Sequence, residues 1–209
     1  VAIDRLSGAL IRISEKPERR IFLFNCHLDY QFYGPYAALK SGATAETVLL
    51  EENRSKRAPQ MKAMLEFMKS RLDAADTVPV FLTGDFNCPS HLDWTAATAD
   101  AHGRIGTVAW PPSTEVIAAG MIDSFRVAHP DPAKESGFTW SSIHKAGEPQ
   151  DRIDFTYHMG SRVSVKTSRV FTTHVEATVG PWNGSDLAIV RKNTWPSDHS
   201  AVVTEYLLR

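Results

Sequence analysis

Val78-Pro79-Val80-Phe81-Leu82-Thr83 runs directly into Gly84-Asp85-Phe86-Asn87. A short apolar run closed by a Gly-Asp turn is the pattern of a buried strand that delivers polar side chains at its end. The same construction stands upstream, where Ile21-Phe22-Leu23-Phe24-Asn25 leads into Cys26-His27-Leu28-Asp29. Between them Met61, Met64, Leu65, Met68 and Leu72 fall at i, i+3, i+4, i+7 and i+11. That is one stripe of an amphipathic helix, and its methionines read as core filler. Downstream, residues 138–143 and 152–159 read as strands joined by a turn at Gly147-Glu148-Pro149. Residues 163–172 alternate, and 200–208 form an apolar strand entered through Trp195-Pro196-Ser197-Asp198-His199. Residues 1–13 alternate into a turn at Lys16-Pro17-Glu18, as at a hairpin; 30–44 read as loop, and 89–120 as weakly patterned helix and loop. Strands outnumber helices and are not interleaved with them. The pattern predicts an α/β (α+β) fold with a mixed or antiparallel sheet covered by helices.

The 209 residues, 43% hydrophobic and 22% charged, suit one domain with a substantial core. Twenty-three Lys+Arg against 24 Asp+Glu leave a net charge of -1, so no global basic field draws the chain to nucleic acid. No apolar run reaches the ~20 residues of a bilayer-spanning helix. The two cysteines, Cys26 and Cys88, make no disulfide framework or zinc motif and read as small buried hydrophobes. No signal peptide is visible at Val1, and no compartment is assigned.

The chemistry-bearing residues gather where strands begin or end: His27, then Asp85 and Asn87, then Asp154, then Asp198 and His199. Strand ends sharing one edge of a sheet bring such groups into a single cleft. Asp85 and Asn87, two apart in an extended segment, are expected on one face, where a carboxylate and an amide suit a divalent cation or a phosphate oxygen. A histidine with an aspartate on a neighbouring strand provides a base and the group that orients it. Each element alone is common and usually structural; the four in this order are not.

His-Leu-Asp at His27, Gly-Asp-Phe-Asn at 84–87, Arg-Ile-Asp-Phe at 152–155 and Ser-Asp-His-Ser-Ala-Val at 197–202, with Thr139-Trp140 ahead of the third, resemble the endonuclease/exonuclease/phosphatase superfamily. The resemblance spans the chain from His27 to Val202. It implies a DNase I-like sandwich of two mixed β-sheets flanked by helices, and a metal-dependent phosphoesterase. It further implies that His199 acts as general base or phosphate donor, and that Asp154 hydrogen-bonds it. Asp85 would position or deprotonate the attacking water, Asn87 would hold the nucleophile or a phosphate oxygen, and His27 would donate to the phosphate. Asp198, with Asp85, would bind Mg2+, for which Mn2+ readily substitutes.

Family members begin with a strand ending in Asn and another ending in Gln-Glu, whose Glu is the main metal ligand; neither motif is found in residues 1–209. The expectation is a single, N-terminally truncated domain whose longer parent is the active enzyme, with an exposed sheet face through which it could associate. A phosphate-ester substrate, a small molecule or lipid headgroup, is favoured over nucleic acid, because no basic loop lies near the motifs; Arg191-Lys192 is the one basic pair close to Ser-Asp-His. A DNA endonuclease or exonuclease of the same superfamily and an inactive interaction domain are the alternatives. A calcineurin-like phosphatase would need Asp-x-His early and Gly-Asn-His later, and has neither here. Tyr30, Tyr33 and Tyr36, after His27, are read as a substrate-selecting loop. Asp151 reads as a surface or salt-bridge residue. Asp29 reads as a cap on its loop, Arg57 and Gln60 as structural. Trp94 and Trp140 either line the cleft or fill the core, and His91, His102, His129, His144, His158 and His174 are given no catalytic part.

Overall fold

The computed structural model describes residues 1–142, 147–173 and 194–209. Its large sheet is built from the hairpin β2 (Leu6–Glu15) and β3 (Glu18–His27), preceded by the short β1 (Ala2–Ile3) and continued by β4 (Val80–Asp85), β6 (Asp154–Met159) and β5 (Ile122–Asp123). The strand order is β1-β2-β3-β4-β6-β5. β3 and β4 run parallel and the other neighbours antiparallel, giving the mixed sheet predicted. A parallel pair needs a long crossover. It is supplied by the segment carrying α1 (Pro35–Ala38), α2 (Ala45–Glu52) and α3 (Arg57–Leu72). A second, two-stranded sheet pairs β7 (Val163–Phe171) with β8 (Ala201–Leu208).

Alternation sorts the two faces of the large sheet. Phe24, Cys26, Val80, Leu82, Phe155 and Tyr157 point to one side. There the predicted stripe Met61, Met64, Met68 and Leu72 of α3 covers them, together with Val116 of α4 (Pro111–Ala118). Phe81, Thr156 and His158 point the other way and meet β8: the Phe81 and Tyr206 rings stand 4.8 Å apart and Thr156 Oγ1 lies 2.8 Å from Thr204 Oγ1. The outer face of the small sheet leaves Phe171, Val203 and Leu207 exposed. No helix among the described residues is long and apolar enough to cross a membrane.

Two local readings are corrected. The 30–44 stretch is not plain loop: Pro35 starts α1, and at its end Thr44 exchanges hydrogen bonds with Thr47 as the capping box that starts α2. The 138–143 strand reduces, over its described residues, to bridges at Trp140, which pairs with Asp151 on one side and His199 on the other. Beside it the Thr139 hydroxyl takes the N–H groups of Ile153 and Asp154, so a side chain replaces a ladder. Ile143, His144, His174 and the Arg191-Lys192 pair lie outside the described residues. Short β5 continues into α5 (Ser124–Ala128), capped by the Asp123 carboxylate, which accepts from the N–H groups of Phe125 and Arg126; no periodicity announced either.

Gly84 sets the spacing at the active edge. It has φ +145°, and a Cβ there would lie 2.0 Å from the Cys26 carbonyl oxygen of the adjacent strand. Gly84→Ala therefore forces β3 and β4 apart and strains the backbone, and is expected to cost about 3 kcal/mol or more. Urea unfolding measures it, and a loss below about 1 kcal/mol would contradict this packing.

Candidate active site

The register of three strands builds the site. His27 pairs with Asp85 across the parallel β3–β4 ladder, and Asp85 pairs with Asp154 across the antiparallel β4–β6 ladder. Directly paired residues project to the same face, so three side chains from three strands stand in one row. The row faces the small sheet, and His199, two residues before β8, closes over it. His27 Nε2 is 3.5 Å and His199 Nε2 3.9 Å from Asp85 Oδ2, while His199 Nδ1 is 2.9 Å from Asp154 Oδ2.

Each environment tunes its group. Burial pushes the Asp85 carboxyl up and the Asp154 charge adds to this; the Asn87 N–H and the two imidazoles pull it back, leaving it at about 6. Burial alone would lower His199, but the hydrogen bond and charge of Asp154, with Asp85 and Asp198, raise it to about 9. The Asp154–His199 contact fixes the ring with Nε2 directed to Asp85. Asp85, Asp154 and His199 each offer a ligand atom within 4.8 Å of the others. The two crowded carboxylates offer the oxygen ligands that suit a hard divalent cation, and His199 stands beside them on Asp154.

Asn87 departs from the expectation. The strand ends at Asp85, and Asn87 has φ +49°, so it is not extended and does not repeat the Asp85 direction. Its backbone N–H donates to Asp85 Oδ1 at 2.7 Å and its Nδ2 to the Leu28 carbonyl at 3.2 Å. Asp198 is exposed at the rim and stands outside the three-residue cluster; its carbonyl accepts from the Ser142 N–H at 2.8 Å.

Buried ionic groups hold this edge in place. Arg152, fully buried, donates to both carboxylate oxygens of Asp93 and both of Asp123, and Arg126 Nε donates to Asp93 at 2.6 Å. That anchor lies two residues before Asp154. Asp93 and Asp123 carried no sequence signal, since only the tertiary fold brings them to Arg152. Arg57 plays the parallel part for the loop after His27, pairing with Glu52 and donating to the carbonyls of Asp29, Gln31 and Phe32. Gln60 accepts the Asp29 N–H, and the Asp29 carboxylate accepts the Gln31 and Lys56 N–H groups, as the cap reading expected.

Cys26 and Cys88 are free and buried. His91, His129 and His158 bond to Ser113 Oγ, the Ser168 carbonyl and Ser124 Oγ, and His102 stacks on Trp94 at 4.3 Å. Asp151 is a correction: it is 1% exposed, and its carboxylate accepts from Trp94 Nε1 at 2.7 Å and Tyr33 Oη at 2.8 Å. Burial is also what sequence proximity to a turn could not foresee.

The Endonuclease/Exonuclease/phosphatase family model matches residues 19–199, and the chain belongs to that family. It is 33% identical over 211 residues to an uncharacterized protein of Caenorhabditis elegans, covering 96% of this chain and 64% of that one. Among solved structures, a mannosyl-6-phosphatase of Bacteroides thetaiotaomicron superposes with TM-score 0.53 at 17% identity, covering 97% of this chain and 57% of its own. A 3' phosphatase from Neisseria bound to product DNA hairpin gives 0.51 at 17%, covering 96% and 70%. These likenesses establish the DNase I-like fold, and the chain spans about two-thirds or less of the first two proteins.

Burial pushes the Asp151 carboxyl from 3.8 to about 7 against the pull of the Trp94 and Tyr33 hydrogen bonds. Between those values the folded protein keeps a proton that the unfolded chain has released, so stability falls as pH rises through the window. Asp151→Asn removes this titration. Its melting temperature relative to wild type is expected to rise from about pH 5 to about pH 8, and a difference that stays flat would contradict the buried neutral carboxyl.

Proposed function

We propose that the protein is a divalent-metal-dependent phosphoesterase acting on a phosphate ester of a small molecule. The observation that carries this is the in-register row His27–Asp85–Asp154 closed by His199. Two imidazoles flank the Asp85 carboxylate, and His27, Asp85 and Asp154 line a cleft of about 410 Å³ together with Thr83, Thr156 and Ser200.

A water attacks phosphorus in line with the ester oxygen. Its proton passes to the facing Asp85–His199 pair, with Asp154 fixing the imidazole through Nδ1. The water oxygen bonds to phosphorus as the P–O ester bond breaks, and an imidazolium returns the proton to the departing oxygen. His27 and Asn87 would donate to phosphoryl oxygens as charge builds on them. Mg2+, or Mn2+ in its stead, would be held by the Asp85 carboxylate with that of Asp154 beside it, and would supply positive charge against the phosphoryl oxygens.

A small-molecule substrate is supported by charge. Tracking a nucleic-acid backbone needs several Lys or Arg contacts. Among the described residues the clefts beside the cluster present none, and the net charge is -1. The mannosyl-6-phosphatase and the 3' phosphatase among the structural neighbours are both named for phosphate-ester chemistry, which supports the reading.

Turnover of 4-nitrophenyl phosphate and bis(4-nitrophenyl) phosphate by the full-length protein with Mg2+ or Mn2+ tests the reading. EDTA should abolish it, and His199→Ala and Asp85→Asn should each lower kcat by roughly 10²–10⁴. Absence of turnover, hydrolysis that survives EDTA, or either variant within threefold of wild type would overturn it. A 3'-phosphorylated DNA hairpin cleaved better than the small esters would overturn the substrate class alone.

A further inference from the structure

Beside the catalytic row lies a second cleft of about 240 Å³, lined by Tyr30, Tyr33, Tyr36, Asn87, Trp140 and Ile153. Its walls are tied to the reacting groups. Asn87 donates its N–H to Asp85, Ile153 precedes Asp154, and Trp140 bridges to His199. A group seated there lies beside Asp85, Asp154 and His199. The surface is aromatic on several sides: Tyr33 meets Tyr36 at 5.7 Å and Trp140 at 5.3 Å, all edge to face, and Tyr36 meets Trp140 at 6.5 Å.

The cleft is braced rather than loose. Tyr33 Oη donates to the buried Asp151 carboxylate at 2.8 Å. Arg57 fixes the carbonyls at 29, 31 and 32 that lead into the tyrosines, and Trp140 is held by backbone pairing on both edges. Yet Tyr30 is 68% and Tyr36 43% exposed, so apolar ring surface is left facing solvent where the core does not use it. Rigid aromatic walls of this kind take up a ring by stacking or edge contact at little conformational cost. Among the described residues no Lys or Arg lines the cleft.

We infer that this aromatic cleft holds the ring of the ester group, making a phosphate ester that carries an uncharged ring the preferred substrate. The inference rests on the phosphoesterase reading and adds its specificity. Trp140 and Tyr36 are the residues that set the preference, and Tyr33 is a positioning residue that presents the wall.

Calorimetry with phosphonates, which the enzyme cannot hydrolyse, tests it: phenylphosphonate, cyclohexylphosphonate and methylphosphonate with Mg2+, and phenol as a ring without phosphorus. Phenylphosphonate or cyclohexylphosphonate should bind at least tenfold tighter than methylphosphonate, about 1.4 kcal/mol. Trp140→Leu and Tyr36→Ala, each checked for an unchanged melting temperature, should bring that ratio within threefold while leaving methylphosphonate binding as in wild type. The aryl and saturated arms report whether a flat ring or any ring is taken. Equal binding of ring and methyl ligands, or a ring preference that survives both substitutions, overturns the cleft assignment and leaves the phosphoesterase standing. Phenol binding that Trp140→Leu removes, with no phosphonate responding to Mg2+, overturns the phosphoesterase and with it the assignment of the ring to an ester. No binding by any ligand overturns both.

Discussion

The constraint on which this structure depends is strand register. Side chains reverse face at every residue, so a slip of one between β3, β4 and β6 would send His27, Asp85 or Asp154 to the helix-covered side. The register is held by packing on that covered side, where Phe24, Val80, Leu82, Phe155 and Tyr157 lock against α3. Gly84 lets the Cys26 carbonyl come close enough for β3 and β4 to sit side by side. The apolar core and the polar row are thus two faces of one alignment.

Placing charged groups at a buried edge is costly unless each is paired. Here the pairing is layered. Arg152 spans Asp93 and Asp123 beneath the start of β6, and Arg57 spans Glu52 and three loop carbonyls beneath the tyrosine loop. Removing one partner from such a pair costs about 3–5 kcal/mol because the other charge stays buried. The Asp85 and Asp154 carboxylates are paired with imidazoles instead of guanidinium groups and crowd each other, and burial with the Asp154 charge raises Asp85 to about 6.

The apolar runs ending at His27 and Asp85, the α3 stripe and the order of the four motifs were legible because each is local or periodic. So was the meeting of His27, Asp85, Asp154 and His199, since strand ends on one edge must converge. Asn87 was misplaced because a single residue with positive φ beyond the strand end breaks the alternation from which its direction was read. Asp151 looked like a turn residue, and only the fold shows it under Trp94 and Tyr33. The partners of Arg152 lie 59 and 29 residues away in sequence, beyond any spacing rule. The tyrosine loop was recognised by composition; its pairing with Trp140 required the bridge between Trp140 and His199.

Strand register aligns His27, Asp85 and Asp154, and His199 closes over that row to make what we propose is one divalent-cation and phosphate site. Crystals of the protein soaked with Mn2+ and inorganic phosphate test it most directly through the anomalous signal of the metal. The account predicts one strong peak within coordination distance of an Asp85 carboxylate oxygen, with phosphate oxygens hydrogen-bonded to His27 and His199. A peak elsewhere on the molecule, with this row vacant, would contradict it.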